Sequence, residues 1–176
     1  MNPRIVYLNG CSSAGKTTLA KALQNDMPSP YLHVCIDAFE DMMPRVYEDR
    51  PFTYDDVLGP LIAGMHASIH ALASAGNNLI VDHILIADCE PHHWVPGGLS
   101  CVEDYDVLFV AVRCPLNILE NREKVRGDRR IGLAAWQFER VYKGIFYDLE
   151  VDTSVLGIEE CVRRVKEAAQ AKFGVL

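Results

Sequence analysis

A three-layer α/β/α sandwich around a mostly parallel five-stranded sheet is the fold that this sequence predicts. Three observations lead to it. Five short apolar runs, 4–9, 31–36, 78–82, 106–112 and 147–152, alternate with helix-like stretches near 16–26, 54–75, 115–125, 133–145 and 157–172. Parallel strands need long crossovers, usually helical, so this alternation selects a parallel sheet over a hairpin meander. Residues 10–17, Gly-Cys-Ser-Ser-Ala-Gly-Lys-Thr, form a complete G-x-x-x-x-G-K-[ST] loop placed between the first apolar run and the first helical stretch. Finally, 176 residues suit a single domain, 1–176. A chain of that size buries roughly 70% of its unfolded surface, enough to cover both faces of a sheet.

The elements follow in order. Ile5-Val6-Tyr7-Leu8 is the first strand, and Leu19-Ala20-Lys21-Ala22-Leu23 lies in the first helix. Between them the loop is built for phosphate. Its backbone N–H groups wrap an anion and the helix N-terminus adds partial positive charge. Lys16 is expected at the β/γ-phosphates and the Thr17 hydroxyl at Mg²⁺, with Gly10, Ser12, Ser13, Ala14, Gly15 and Thr18 completing a nucleoside triphosphate site. The second strand, Leu32-His33-Val34-Cys35-Ile36, ends at Asp37; the third, Asn78-Leu79-Ile80-Val81, ends at Asp82; the fourth ends at Arg113. Pro115 suits the first turn of the next helix. Sheets of this type bind ligands beyond the carboxyl ends of their strands, so Asp37, Asp82 and Arg113 are expected to face one crevice. The stretch 86–104, with Pro91, Pro96, Gly97 and Gly98, reads as a loop and a candidate flap.

Composition narrows the function classes. A formal charge of −7 argues against an extended nucleic-acid interface, and the Arg113, Arg122, Lys124, Arg126, Arg129, Arg130 cluster suits a local phosphate chain instead. The six cysteines (11, 35, 89, 101, 114, 161) have no paired spacing, which fits reduced thiols in the cytoplasm rather than disulfides or zinc. No run approaches 18 consecutive apolar residues and no basic leader precedes an apolar core, so neither a membrane partner nor an export signal is expected.

Phosphoryl transfer to a hydroxyl needs a group to receive a proton beside the phosphate loop, and Asp37 is the candidate base. Asp37-Ala38-Phe39-Glu40 also has the spacing of a capping box, so a helix cap is the competing reading. Asp82 stands where a carboxylate holds Mg²⁺ through water, against a simple strand-end turn role. His83 is open between substrate contact and a local hydrogen bond. In Arg126-Gly127-Asp128-Arg129-Arg130 the catalytic candidates are Arg126 and Arg129, on a short lid at about 122–132 that closes over the γ-phosphate. The alternative there is a solvated charge run, and the embedded Arg-Gly-Asp carries no adhesion reading. His66 and His70, four apart, lack a third ligand and are read as packing residues. His92-His93-Trp94 sits in the candidate flap, where an aromatic covers an acceptor or simply packs. Trp136, Phe138, Val141 and Ile145 are read as a core stripe.

Taken together, the residues resemble the chloramphenicol phosphotransferase-like family of P-loop small-molecule kinases. The resemblance rests on Leu8-Asn9-Gly10, Ser12 to Lys16, Ile36-Asp37, Ile80-Val81-Asp82, Val112-Arg113-Cys114, Arg126-Gly127-Asp128-Arg129, Gly132-Leu133-Ala134, Gln137, Tyr147-Asp148 and Glu150-Val151-Asp152-Thr153. It implies ATP- and Mg²⁺-dependent phosphorylation of a hydroxyl on a small organic molecule, with antibiotic inactivation as the type activity. Asp37 would be general base, Lys16 and Thr17 nucleotide and metal ligands, Arg126 and Arg129 lid residues, and Thr153 part of the adenine-side loop. Three positions depart from the pattern: Cys11 replaces a glycine, Thr17 a serine, and His83 a second acidic residue. The acceptor-facing stretch with Met42-Met43-Pro44, Tyr47, Tyr54 and Asp55-Asp56 differs most. Competing readings are a kinase of a nucleoside, sugar or other metabolite on the same fold, and an ATP-dependent switch that phosphorylates nothing. RNA-end phosphorylation is disfavoured by the acidic balance. The oligomeric state is not set by the sequence.

Overall fold

The computed structural model describes residues 2–43, 54–87, 94–127 and 131–174. Within them the chain runs β1 (Arg4–Asn9), α1 (Lys16–Asp26), β2 (Tyr31–Cys35), α2 (Ile36–Glu40), α3 (Tyr54–Ser74), β3 (Asn78–His83), α4 (Trp94–Ser100), β4 (Asp106–Arg113), α5 (Leu116–Arg126), α6 (Leu133–Phe138), β5 (Leu149–Asp152) and α7 (Ile158–Phe173). The five strands form one parallel sheet in the order β2-β3-β1-β4-β5. β1 is central: Ile5 pairs with Leu79 on one side and Val107 on the other. Ile5 to Asn9 are all fully buried, as expected of a strand covered on both faces.

Helices α1 and α7 pack together over one face of the sheet and α3 and α4 over the other. Strand side chains alternate between those layers. Asp82 accordingly meets Thr17 of α1, while its neighbour His83 meets His66 of α3. On α3 the buried residues Leu58, Ile62, Met65, Ile69 and Ala73 recur at steps of three and four, one stripe against the sheet. Residues 56–74 have the length and mean hydropathy, 1.3, of a membrane span. Polar residues such as His66, Ser68 and His70 interrupt its apolar run, although its apolar average is high.

Several boundaries differ from expectation. The second strand stops at Cys35, and α2 starts at once with Ile36. The helix expected over 133–145 ends at Phe138. The Gln137 carbonyl then accepts from both the Arg140 and Val141 N–H groups, and the chain tightens into turns. The last strand begins at Leu149. Most instructive is α4, formed inside the stretch read as a loop. Gly97 and Gly98 serve close packing there: a Cβ on Gly98 would lie 2.3 Å from Leu85 Cδ2, and one on Gly97 2.7 Å from His66 Nδ1. His92 and His93 lie outside the described residues.

Candidate functional site

The site starts from a loop bent into a conformation that few residues adopt. Ser13 (φ 64°) and Gly15 (φ 91°) are both left-handed, which costs a serine about 1–2 kcal/mol and turns successive N–H groups inward. Gly10 lies beneath, where a Cβ would come 2.4 Å from the Val112 carbonyl oxygen, so only glycine lets the loop leave β1 beside β4. Asn9 braces the exit. Its amide donates to the Val141 carbonyl (2.7 Å) and Tyr147 hydroxyl (2.6 Å), and its oxygen accepts from Leu85 N–H (2.9 Å).

Around the loop lies a cavity of about 1200 Å³. Ser12, Ser13, Gly15, Lys16, Thr17, Thr18 and Thr153 line it; Gly10 and Ala14, expected in the same site, are buried and do not. Lys16 Nζ donates to the Cys11 carbonyl at 3.0 Å and stands 3.9 Å from Asp82 Oδ1. Thr17 Oγ1 donates to Asp82 Oδ2 at 2.6 Å, and His33 Nε2 is 3.7 Å from the same oxygen. Burial pushes the Asp82 carboxyl upward, but His33, Lys16 and Thr17 outweigh it and hold the group below its ordinary value. Thr17 and Asp82 thus bring a hydroxyl and an ionised carboxylate together, the hard oxygen donors that suit Mg²⁺ beside phosphate. Cys11 is sealed in the loop, and burial pushes its thiol up to about 11.

Strand order divides the cavity about the central loop. On the β2–β3 side stand Asp37, Glu40, Ile36, Leu58, Ile84, Ile86 and Trp94; on the β4–β5 side stand Asn121, Arg122, Val125, Thr153, Leu156 and Ile158. Asp37 occupies the first turn of α2, whose N-cap is Cys35 with no side-chain cap bond. The capping-box reading of Asp37 therefore fails, and the carboxylate is part of the cavity wall. Arg126 lines the cavity as well, in the last turn of α5, so residues 122–126 of the expected lid are helical. Arg129 lies outside the described residues.

Of the remaining residues, Arg113 and the aromatic stripe depart from expectation, whereas the histidines take the local hydrogen-bonding and packing roles. Arg113 is not part of the cavity lining: its guanidinium pairs with Glu150 at 2.7 Å and lies 3.6 Å over the Tyr142 ring. His83 is fully buried, with Nε2 3.0 Å from His66 Nε2 and its ring stacked 5.6 Å from Trp94, so it offers substrate nothing. Burial pushes His66 down to about 4 and His83 to about 3, which leaves the pair neutral at pH 7. His66 and His70 do not act together, since His70 packs by Tyr105. Of the expected core stripe, Val141 is buried, but Trp136 and Phe138 are exposed and Trp136 borders the cavity.

Three residues make contacts that spacing along the chain did not indicate. Arg122 donates to the Ser13 carbonyl (3.3 Å) and to both Thr153 Oγ1 (3.1 Å) and the Thr153 carbonyl (3.0 Å), tying α5 to the phosphate loop and to the end of β5. Thr153 itself donates to the Ala14 carbonyl at 2.7 Å. Glu123, 1% exposed, accepts from the N–H groups of Gly132 (2.7 Å) and Ala134 (2.8 Å), pinning α6 to α5. Gln137 Oε1 accepts from Ser12 N–H at 2.6 Å. These pairings span at least 9 positions, beyond the reach of helix and strand spacing rules.

A model of the family described as chloramphenicol phosphotransferase-like protein matches residues 3–170. The chain belongs to that family. A Mycobacterium tuberculosis relative named "putative O-phosphotransferase" is 30% identical over 190 residues, covering 96% of this chain and 83% of the relative. In fold, the chloramphenicol phosphotransferase-like chain is similar to the Mycobacterium tuberculosis APS kinase CysC solved with AMPPNP and APS. That match has a TM-score of 0.70 and 16% identity over 96% of this chain and 98% of the other. A gluconokinase from Sinorhizobium meliloti gives a TM-score of 0.66 at 18% identity, over 97% and 93% of the two chains. Family and fold together make this chain a small-molecule kinase.

Proposed function

We propose that the chain transfers the γ-phosphoryl group of ATP to a hydroxyl of a small, largely apolar organic molecule, with chloramphenicol the first acceptor to test. One observation carries the reading: a single cavity holds the Lys16–Thr17–Asp82 cluster at its centre and Asp37 on its β2–β3 side, beside an apolar wall of Leu58, Ile84, Ile86 and Trp94. A phosphate site and a carboxylate base thus share one space with a surface fit for an organic acceptor.

In this mechanism the acceptor oxygen forms a bond to the γ-phosphorus while the bond to the bridging oxygen breaks. Asp37 takes the hydroxyl proton, and ADP leaves with the electron pair. Lys16 moves from the Cys11 carbonyl to the β/γ-phosphates. Thr17 would hold Mg²⁺ by its hydroxyl and Asp82 through water, and the ion would supply charge neutralisation on the phosphate oxygens. Arg126, and Arg129 as a lid partner, would offset charge in the transition state, while Thr153 and its neighbours would receive the base. A single domain with a lid at about 122–132 that works in the cytoplasm fits this scheme.

Incubating the protein with Mg²⁺-ATP and chloramphenicol, beside Asp37→Asn, tests the reading by mass spectrometry. The expected result is one added phosphoryl group from wild type, and turnover lowered about 10²–10⁴-fold in the variant. Full activity in Asp37→Asn would overturn the base assignment. No product from wild type that still binds ATP would redirect the search to a metabolite acceptor.

A further inference from the structure

We propose that Gln137 is a catalytic residue that donates a hydrogen bond from its amide nitrogen to the phosphoryl group being transferred. The proposal rests on the ATP-dependent reading above and adds a residue to it.

The orientation of this side chain follows from chemistry. Ser12 N–H can only donate, so the atom 2.6 Å from it is the amide oxygen, and the NH₂ group is turned away from the loop. Gln137 is 5% exposed, and Ser12 is its only side-chain partner among the described residues. Its nitrogen has no hydrogen-bond partner among the described residues and is not sealed from the surface, and the residue forms part of the cavity wall. Two donor hydrogens thus remain for whatever occupies the cavity.

The contact also has a counterpart. Lys16 Nζ holds the carbonyl oxygen of Cys11 at 3.0 Å, and Gln137 Oε1 holds the N–H of Ser12, so the two side chains grip opposite ends of one peptide unit. That peptide opens the loop that wraps the phosphates. Both residues also line the cavity that would receive the phosphoryl group. Preorganised neutral donors of this kind stabilise charge developing on transferred oxygens, and removing one typically lowers kcat about 10²–10³-fold. Gln137 gains and loses no proton in the step; Asp37 receives the acceptor proton as before. The anchor is rigid, because Glu123 fixes the start of α6 through Gly132 and Ala134 and Gln137 closes its last turn.

Gln137→Glu tests this, because it keeps an acceptor for Ser12 while replacing the donor nitrogen with an oxygen. Calorimetric titration with ADP and with AMPPNP separates the γ-phosphate from the rest of the nucleotide. The expected result is ADP affinity within about threefold of wild type, AMPPNP affinity lowered by about tenfold or more, and kcat lowered about 10²–10³-fold. Equal weakening of both nucleotides, or no change in either, would show that Gln137 only holds the loop. Because the Gln137→Glu carboxylate itself repels a γ-phosphate, neutral Gln137→Met is measured beside it and read by the same ratio: a selective loss of AMPPNP supports the proposal and a uniform loss overturns it. If wild type binds neither nucleotide, the ATP-dependent reading falls and this inference falls with it. If wild type binds both and the ratio does not move, this inference alone is lost.

Discussion

Asp82 and His83 are consecutive on β3 and face opposite layers of the same sheet, and their environments could hardly differ more. Asp82, 4% exposed, borders the cavity and is held ionised by Lys16, Thr17 and His33 on the α1 side. His83, fully buried, faces α3 and α4 and is held neutral by burial against His66 and Trp94. Comparable burial therefore preserves a charge at one residue and removes it from the next. The deciding factor is whether the facing helix brings cations and donors or a second neutral ring. One side of the strand end is equipped for chemistry and the other for packing, and activity and stability should separate accordingly.

The largest expected effect comes from taking the charge off the cavity side. Asp82→Asn keeps the shape and should lower kcat about 10²–10³-fold, with more Mg²⁺ needed for half-maximal rate. A Mg²⁺ titration checks this; an unchanged Mg²⁺ requirement would refute the assigned role.

Acid should act on the packing side. An unfolded histidine takes up a proton below its ordinary 6.5, whereas folded His66 resists until about 4 and His83 until about 3. Stability is thus fully present above pH 6.5 and lost as pH falls, by at most about 1.4 kcal/mol per pH unit for each histidine between 6.5 and 4. Urea midpoints at pH 7 and pH 5 measure it, and a variant lacking both rings should lose most of the dependence.

The smallest effect is expected from His83→Leu at neutral pH. Leaving His66 Nε2 buried without its partner costs about 1–3 kcal/mol, read as a lower urea midpoint, with kcat changed less than about threefold. A large fall in kcat with intact stability would erase the division between the two faces.

The phosphate loop, its flanking elements and the strand-end carboxylates were legible in the sequence because each has a local cause. Left-handed backbone favours glycine, parallel strands announce themselves as apolar runs, and ligand residues cluster at their carboxyl ends. Arg113 satisfied the same strand-end rule and failed, because Glu150 and Tyr142 on neighbouring segments capture its guanidinium. Gly97 and Gly98 misled in a different way. They signalled a loop, but their small size lets α4 approach His66 and Leu85. The grip of Gln137 on Ser12 spans 125 positions, and no pattern along the chain encodes it.

The central place of β1 has a consequence in time. Its neighbours in the sheet are β3 and β4, with Ile5 set against Leu79 and Val107. At synthesis rates of about 5–20 residues per second, roughly 100 residues separate the making of β1 from that of its second partner, an interval of about 5–20 s. During that interval an apolar strand and the loop attached to it exist without the sheet that gives them shape. The segment that announces the protein's chemistry so early is among the last to become able to perform it, and a nascent chain halted before β4 would carry the complete motif and no working pocket.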